Sequence, residues 1–370
     1  MGHSGEQRRG LSYGAERVEA HNSTQFFQVA MFSPRFAFLG LVLASIPTAL
    51  HADTTAPFGV ASAYNLVALG SSNLDGTIST QADVTGRAAA ADQILAGTTY
   101  GSTLNSDPYG TLATFGLVST NGLVAGQTFN MNGGGNAYAP GTNGNINFND
   151  GGHRVTSGTS GIDFDTLRTT LQAESQQLNT LPVNGAVMGT NQPWLNPSWF
   201  VLKGTSATLN VFSLTAAQFA DPLHNIDIEA PAGSTILVNV TGPTQTLGSG
   251  LYYNGNQTSG DSADDAGILF NFPDAQTVAI NAQFNASILA PFAVLSGTGQ
   301  MGGTFIAAQI GQTGEVHNVE FVGTMPGYPS GGSPKDPAVS PVPEPGTLLM
   351  VGTGVVSLAG GLWRRRKLSA

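Results

Sequence analysis

The fold is decided between Gly267 and Gly323, which read GILFNFPDAQTVAINAQFNASILAPFAVLSGTGQMGGTFIAAQIGQTGEVHNVEFVG. Short apolar runs at Ile268-Leu-Phe, Thr277-Val-Ala-Ile280, Ser287-Ile-Leu-Ala290, Phe305-Ile-Ala-Ala308 and Val316-His-Asn-Val-Glu-Phe321 are separated at regular intervals by Gly, Asn and Gln. Their β-branched and aromatic content is that of strands. One short strand and one tight turn per unit is the pattern of a parallel β-solenoid, in which inward apolar and outward polar positions alternate. A β-sandwich gives similar spacing. Two features favour the solenoid: Gly and Asn dominate the turns, and no strand pair is joined by an evident two-residue hairpin. The expected class is therefore mainly β, with a parallel β-solenoid-like domain.

Working outward, Tyr64 to Leu69 and Thr235 to Val240 have the same strand character. One segment differs. From Phe164 to Leu181 the residues Phe164, Leu167, Leu171, Leu178 and Leu181 recur at helical spacing, with Asp163 as N-cap, Asp165 in the first turn and Pro182 as terminator. This predicts one long flanking α-helix that buries its stripe along a face of the β domain. Asn130 to Ser160 is the least apolar part, rich in Gly and Asn, and reads as solenoid turns, a large surface loop or a disordered stretch. Residues 328–341 are rich in Pro, Gly and Ser and form a spacer.

The two ends carry addresses. Met31 opens a secretory signal peptide, residues 31–52, with Arg35 as its positive end and Phe36 to Ile46 as its apolar core. Cleavage is expected between Ala52 and Asp53. Met1 to Ala30 then reads as a non-native extension upstream of the true start. At the other end, Pro343, Glu344 and Pro345 precede eighteen uncharged residues, 346–363, followed by Arg364, Arg365, Arg366 and Lys367. Such a run just spans a bilayer core as a C-terminal transmembrane helix, and its basic end favours the cytoplasmic side. The precursor would therefore sit in the inner membrane with everything upstream outside the cytoplasm.

Charge and cysteine content narrow the function. Between Asp53 and Val342 there are five basic and nineteen acidic residues, a formal charge of about −14 that disfavours nucleic acid and anionic membrane surfaces as partners. No cysteine is present, so thiolate chemistry and Cys-zinc sites are excluded and stability rests on packing and hydrogen bonds.

Several residue sets could carry chemistry. Glu315 and His317, at i and i+2, share one strand face, where a carboxylate could orient an imidazole. The plainer reading is a polar pair closing the last coil. Asp227 and Glu229 also share a face about 7 Å apart, as any such pair does, so a glycosidase-like carboxylate pair competes with a solvated surface. Asp261, Asp264 and Asp265 offer oxygen ligands for Ca²⁺ but lack EF-hand spacing. Asp83 and Arg87 read as a structural ion pair. Trp194 and Trp199 could stack on sugar rings or plug the core. No catalytic elbow, zinc-binding or P-loop motif accompanies any of them, so no catalytic residue and no cofactor beyond Ca²⁺ is expected.

Pro343-Glu344-Pro345, the apolar span and the Arg-rich end resemble the PEP-CTERM sorting signal, residues 342–367 here. That resemblance implies recognition by an exosortase at the membrane of a Gram-negative bacterium after passage through the Sec translocon and signal peptidase. Further upstream, Asn65-Leu-Val-Ala-Leu-Gly70, Asp83-Val-Thr-Gly-Arg87, the Phe164 helix, Ile236 to Gly242, Ile268 to Ala275, Ser287 to Pro291 and Gly314 to Asn318 together resemble the choice-of-anchor A domain, covering 53–327. The resemblance implies an adhesive surface protein. The ILAP and GGTFIAA elements also resemble the ice-binding type of discontinuous β-helix with a helix alongside. The expected protein is adhesive or structural, non-enzymatic, and a ligand of extracellular polysaccharide or matrix protein. Its rivals are a polysaccharide hydrolase using Asp227/Glu229 or Glu315/His317, and an ice binder, for which only Thr244 and Thr246 show T-x-T spacing.

Overall fold

The computed structural model describes residues 56–104, 109–188, 199–220, 225–259 and 265–326. The signal peptide, the Ala52/Asp53 junction, the spacer, the sorting signal with its apolar span, and Trp194 lie outside the described residues. Among the described residues no helix is long and apolar enough to cross a membrane.

The chain is mainly β, with parallel sheets and few helices. The principal sheet runs, in spatial order, through Leu209–Thr215, Thr235–Thr241, Ile268–Asn271, Ser287–Gly297, Phe305–Ile310, Leu66–Ala68, Ala88–Ala90, Leu117–Ser119, Ala137–Tyr138 and Arg154–Val155. Every neighbouring pair on this path is parallel. The chain thus begins in the middle of the stack, winds out to one end by Val155, and resumes at the opposite end near Leu209. From there it winds back until Phe305–Ala307 pairs with Leu66–Ala68.

Alternation decides what the stack encloses. Phe212, Val238, Phe270, Ile288, Phe305, Leu66, Ala88, Leu117 and Ala137 stand in register and point into the core. On a second face Phe284, Met301, Val316, Val84, Tyr100 and Met131 form a matching column. On a third, Val278, Leu295, Ile310, Ile78, Ile94 and Leu123 do the same. All three columns are fully buried. Burying whole columns of β-branched and aromatic side chains is the main gain that offsets ordering so many short strands.

The helix that crosses the stack is Phe164–Leu178. Asp163 caps it by accepting from the Thr166 amide at 3.1 Å and the Thr166 hydroxyl at 2.8 Å, and these bonds hold its carboxyl below the usual range. Phe164, Leu171 and Leu178 are buried against Val67, Ala89, Val118, Leu289 and Ile306. Helix ends before the expected Leu181, because the residue preceding Pro182 is driven out of the helical region. Leu181 still packs on the same cluster. At about 22 Å, fifteen residues cover nearly five strand spacings. This length carries the chain from one half of the stack to the other.

Beneath the C-terminal turns of the helix the outward column turns polar. Asn271 donates to the Ser175 carbonyl and to Asn239 Oδ1, both at 2.8 Å, and accepts from the Ser175 hydroxyl at 2.6 Å. Asn239 in turn donates to the Leu178 carbonyl at 3.0 Å. The two amides add a second bond to the Ser175 and Leu178 carbonyls, which also accept the Asn179 and Leu181 amides at 3.3 Å each, and so tie the end of the helix to the sheet.

Three expectations are narrowed or corrected. Of the alternatives for the Gly/Asn-rich stretch from Asn130, the structure keeps the solenoid one and drops the surface loop and disorder: it contributes Thr128–Met131, Ala137–Tyr138, Asn145–Phe148 and Arg154–Val155 as further coils. Asn tolerates this because its amides ladder across strands, as from Asn147 to Asn130 at 3.0 Å. A two-residue hairpin does occur, with Leu251–Tyr253 paired antiparallel to Asn256–Gln257 around Asn254-Gly255. Both turn residues have positive φ, 49° and 77°, as the Asn-Gly hairpin turn requires. The apolar run at Ser287 and the following strand are one element that turns a corner, with its register broken between Ala290 and Val294, where Pro291 lies.

Asn271→Ala should lower stability by about 3 kcal/mol, since it takes the Asn271 bond from the buried Ser175 hydroxyl and from Asn239 Oδ1 and cuts a tie between helix and sheet. Thermal denaturation measures this, and an unchanged midpoint would show that the amide ladder is dispensable.

Candidate functional site

Three parallel strands at one end of the second face, Trp199–Lys203, Asn225–Glu229 and Leu251–Tyr253, present the most chemically varied surface of the molecule. Phe200, Leu202, Ile226 and Ile228 point into the core, so the alternate positions Trp199, Lys203, Asp227, Glu229 and Tyr252 face outward. All of these but Tyr252 border a cavity of about 650 Å³, lined also by Asn254 and Gly255.

Register places the charges. Lys203 stands opposite Glu229, and its Nζ lies 3.3 Å from Oε2. Asp227 is only 1% exposed, and its Oδ1 accepts the Gly255 amide at 3.0 Å. Burial raises its pKa, the Gly255 bond opposes this, and the charge of Glu229 raises it further. The expected solvated surface is thus wrong for Asp227, because the Asn254-Gly255 turn folds over it. Asn254 is itself held by accepting the Ala230 amide and donating to the Ala230 carbonyl, each at 3.0 Å. Tyr252 backs Trp199 in a tilted pair, with ring centroids 4.8 Å apart and an interplanar angle of 32°. The floor therefore combines an aromatic pair, one screened ion pair and one sequestered carboxyl.

The other predicted residues fall elsewhere. Glu315 and His317 lie where the last coil meets the first, with Glu315 Oε1 4.0 Å from His317 Nε2 and the imidazole also against Gln300. Neither lines this cavity. Asp265 is buried and accepts the Ser259 amide at 2.8 Å, which fixes a turn, whereas Asp261 and Asp264 lie outside the described residues. Among the described residues no group of three or more acidic or His side chains could hold a metal ion. Asp83 accepts from the Thr98 hydroxyl and the Thr99 amide instead of serving chiefly Arg87. The guanidinium of Arg87 is felt by Tyr64 and Glu320.

Sequence reasoning missed two contributors. Lys203 carried no motif, and its role comes from strand register alone. The Tyr252-Tyr253-Asn254-Gly255 string, with an Asn-Gly pair after two aromatics, was the available signal for the turn that closes over Asp227.

With this geometry established, comparison with known families adds the context. Residues 57–318 match the family described as "Putative Ice-binding-like adhesive domain". The chain belongs to that family. Residues 341–367 match the PEP-CTERM protein-sorting motif, which implies processing by an exosortase and secretion to the cell surface of a Gram-negative bacterium. No curated protein matches the chain. The choice-of-anchor A expectation is close to the adhesive family, and the sorting signal expected at 342–367 is the one found.

Outside the cavity, Glu320 is 3% exposed and lies near Arg87, Tyr64 and Tyr109. Burial raises its pKa to about 7, against its own backbone hydrogen bond and the Arg87 charge. A carboxyl whose folded pKa is raised favours the folded state at low pH, and that contribution is lost as pH rises from about 4.5 to 7. The loss corresponds to about 3 kcal/mol. Glu320→Gln should therefore flatten the stability profile across this window and be the more stable form at pH 8. Parallel profiles for the two proteins would refute it.

Proposed function

We propose that the chain is an exported, non-enzymatic adhesive protein whose discontinuous β-solenoid body holds sugar rings of an extracellular polysaccharide at the Trp199 cavity. The observation that carries this is Trp199, backed by Tyr252, at a broad open hollow lined with hydrogen-bonding groups. Aromatic faces pack on the C–H faces of sugars, while the exposed Lys203 ammonium at the rim, which pairs with Glu229 through one contact, has N–H donors left for hydroxyls. The adhesive family and the surface-sorting motif support an encounter with such polymers outside the cell.

A hydrolase is the second reading, favoured by the raised pKa of Asp227 next to Glu229. Against it, Glu229 is engaged by Lys203 and Asp227 by a backbone amide, so neither carboxylate is held ready for a substrate. The ice-binding reading needs a regular Thr array. Thr244 and Thr246 face outward, but their neighbours run Thr277 then Val294, and Ala279 then Ser296.

Affinity of the purified chain for host exopolysaccharide should fall about tenfold in Trp199→Ala, while Asp227→Asn and Glu229→Gln leave polymer length unaffected. Equal binding by the Trp199 variant would sink the cavity assignment. Polymer shortening by the wild type that disappears in either carboxylate variant would establish the hydrolase instead.

Maturation in this reading begins with Sec export and signal-peptidase cleavage after Ala52, and an inner-membrane intermediate held by 346–363 then meets the exosortase. Replacing Pro343, Glu344 and Pro345 with alanine should accumulate the uncleaved form, detected as a larger band in the membrane fraction. Normal processing in a host carrying the sorting enzyme would count against this route.

A further inference from the structure

The coil that ends the stack leaves a strand edge open. Asn145–Phe148 pairs with Thr128–Met131 on one side and, among the described residues, with no strand on the other. The Asn145 amide donates to the Gln127 carbonyl at 2.9 Å and the Asn149 amide to the Met131 carbonyl at 3.0 Å. Alternate residues of a strand point their amides to opposite sides, so the N–H and C=O groups of Ile146 and Phe148 face the open edge. The core behind them is sealed. Arg154 occupies the inward column and donates to the carbonyls of Ala139 at 2.8 Å and of Gly144 and Asn143 at 2.9 Å each. What remains on offer at this end is backbone hydrogen bonding, not a hollow.

The edge is complementary to itself. Asn145-Ile-Asn-Phe-Asn149 has the same polar and apolar pattern in both directions around Asn147. Asn145, Asn147 and Asn149 are exposed, while Ile146 and Phe148 are half-buried against the core. Antiparallel pairing about a two-fold axis at Asn147 sets Ile146 opposite Phe148 of a second copy, and the four open backbone groups of each strand satisfy one another. The same register brings Asp150 of the second copy opposite Gly144, whose carbonyl is already held by Arg154. Opposite charges therefore meet twice across the axis. In a chain of net charge −10, Asp150 and Arg154 are the only formal charges between Val124 and Ser160, so this end lacks the acidic repulsion that would keep copies apart.

We propose that the chain forms a two-fold dimer by antiparallel pairing of Asn145–Phe148 with the same strand of a second copy. Isologous pairing closes on itself and stops at two. The pairing uses no residue of the Trp199 cavity, so it can fail without touching the adhesive reading.

Cysteine scanning tests this directly because the chain has none. Asn147→Cys in the full chain, solubilised in detergent, places two thiols opposite each other at a non-hydrogen-bonded pair, close enough for a disulfide. Oxidised glutathione accepts the two electrons and two protons released. The expected product runs at twice the mass and reverts with dithiothreitol. Thr277→Cys, exposed on a strand paired on both sides, should stay single and serves as the collision control. Sedimentation of the cysteine-free chain should show a dimer weakened by salt, and Asp150→Lys should weaken it about tenfold. The proposal fails if the Asn147 variant cross-links no more than the Thr277 variant, or if the wild type sediments as a monomer up to its highest soluble concentration.

Discussion

Everything in this molecule hangs on one parallel pairing, that of Leu66–Ala68 with Phe305–Ala307. The partners are about 240 residues apart, and the chain between them builds both halves of the stack. Side chains reinforce the junction. Thr80 and Thr313 share a buried hydroxyl contact at 2.7 Å, and Asn65 accepts the Arg87 amide while donating to the Gly303 carbonyl. Gly86 must be glycine here, because a Cβ would lie 1.6 Å from Asn65 Oδ1. A contact of such sequence separation carries a large closure cost before it returns any burial, so folding of this topology should be slow. The long helix eases the problem, since it is local structure that carries the chain along about half the length of the stack.

The same architecture explains where recognition chemistry gathers. Inside, three apolar columns leave no room for function, and one outer face is used up by the helix. The remaining outward positions come at fixed spacing, about 4.8 Å between coils and about 7 Å along a strand. Repeating polymers suit such a ruled surface better than small compact substrates. At the Trp199 cavity the regular grid is interrupted by a hairpin, which sequesters the Asp227 carboxyl close to an aromatic pair.

Much of the fold could be read in advance because strands such as Thr235–Thr241 and Thr277–Ile280 pair in-register apolar residues whose pattern survives in one dimension. The helix was legible for the same reason, down to its Asp163 cap. What escaped reading was polar. Asn130, Asn132, Asn147 and Asn149 look like loop residues until stacking lets their side chains bond across coils. Buried Asn239 and Asn271 have meaning only beneath the helix. Of the candidate site, Trp199 and the Asp227/Glu229 pair were visible as residue types, but their meeting with Lys203, Tyr252 and the Asn254-Gly255 turn depends on register between strands distant in sequence.

The chain comes back at Phe321 to the junction from which it started. Phe58 packs on Phe321 with ring centroids 5.4 Å apart, and Met325 joins the same cluster. Past Phe321 the chain turns back toward the Leu209 end of a stack roughly 45 Å long: the Val322 amide donates to the Ala266 carbonyl at 2.9 Å and the Thr324 amide to the Thr235 hydroxyl at 2.7 Å, one strand in from that end. A body tethered there is held near one tip, like a flag on its staff. The Asn147 edge then sweeps the longest arc, while the Trp199 hollow stays close to the point of attachment.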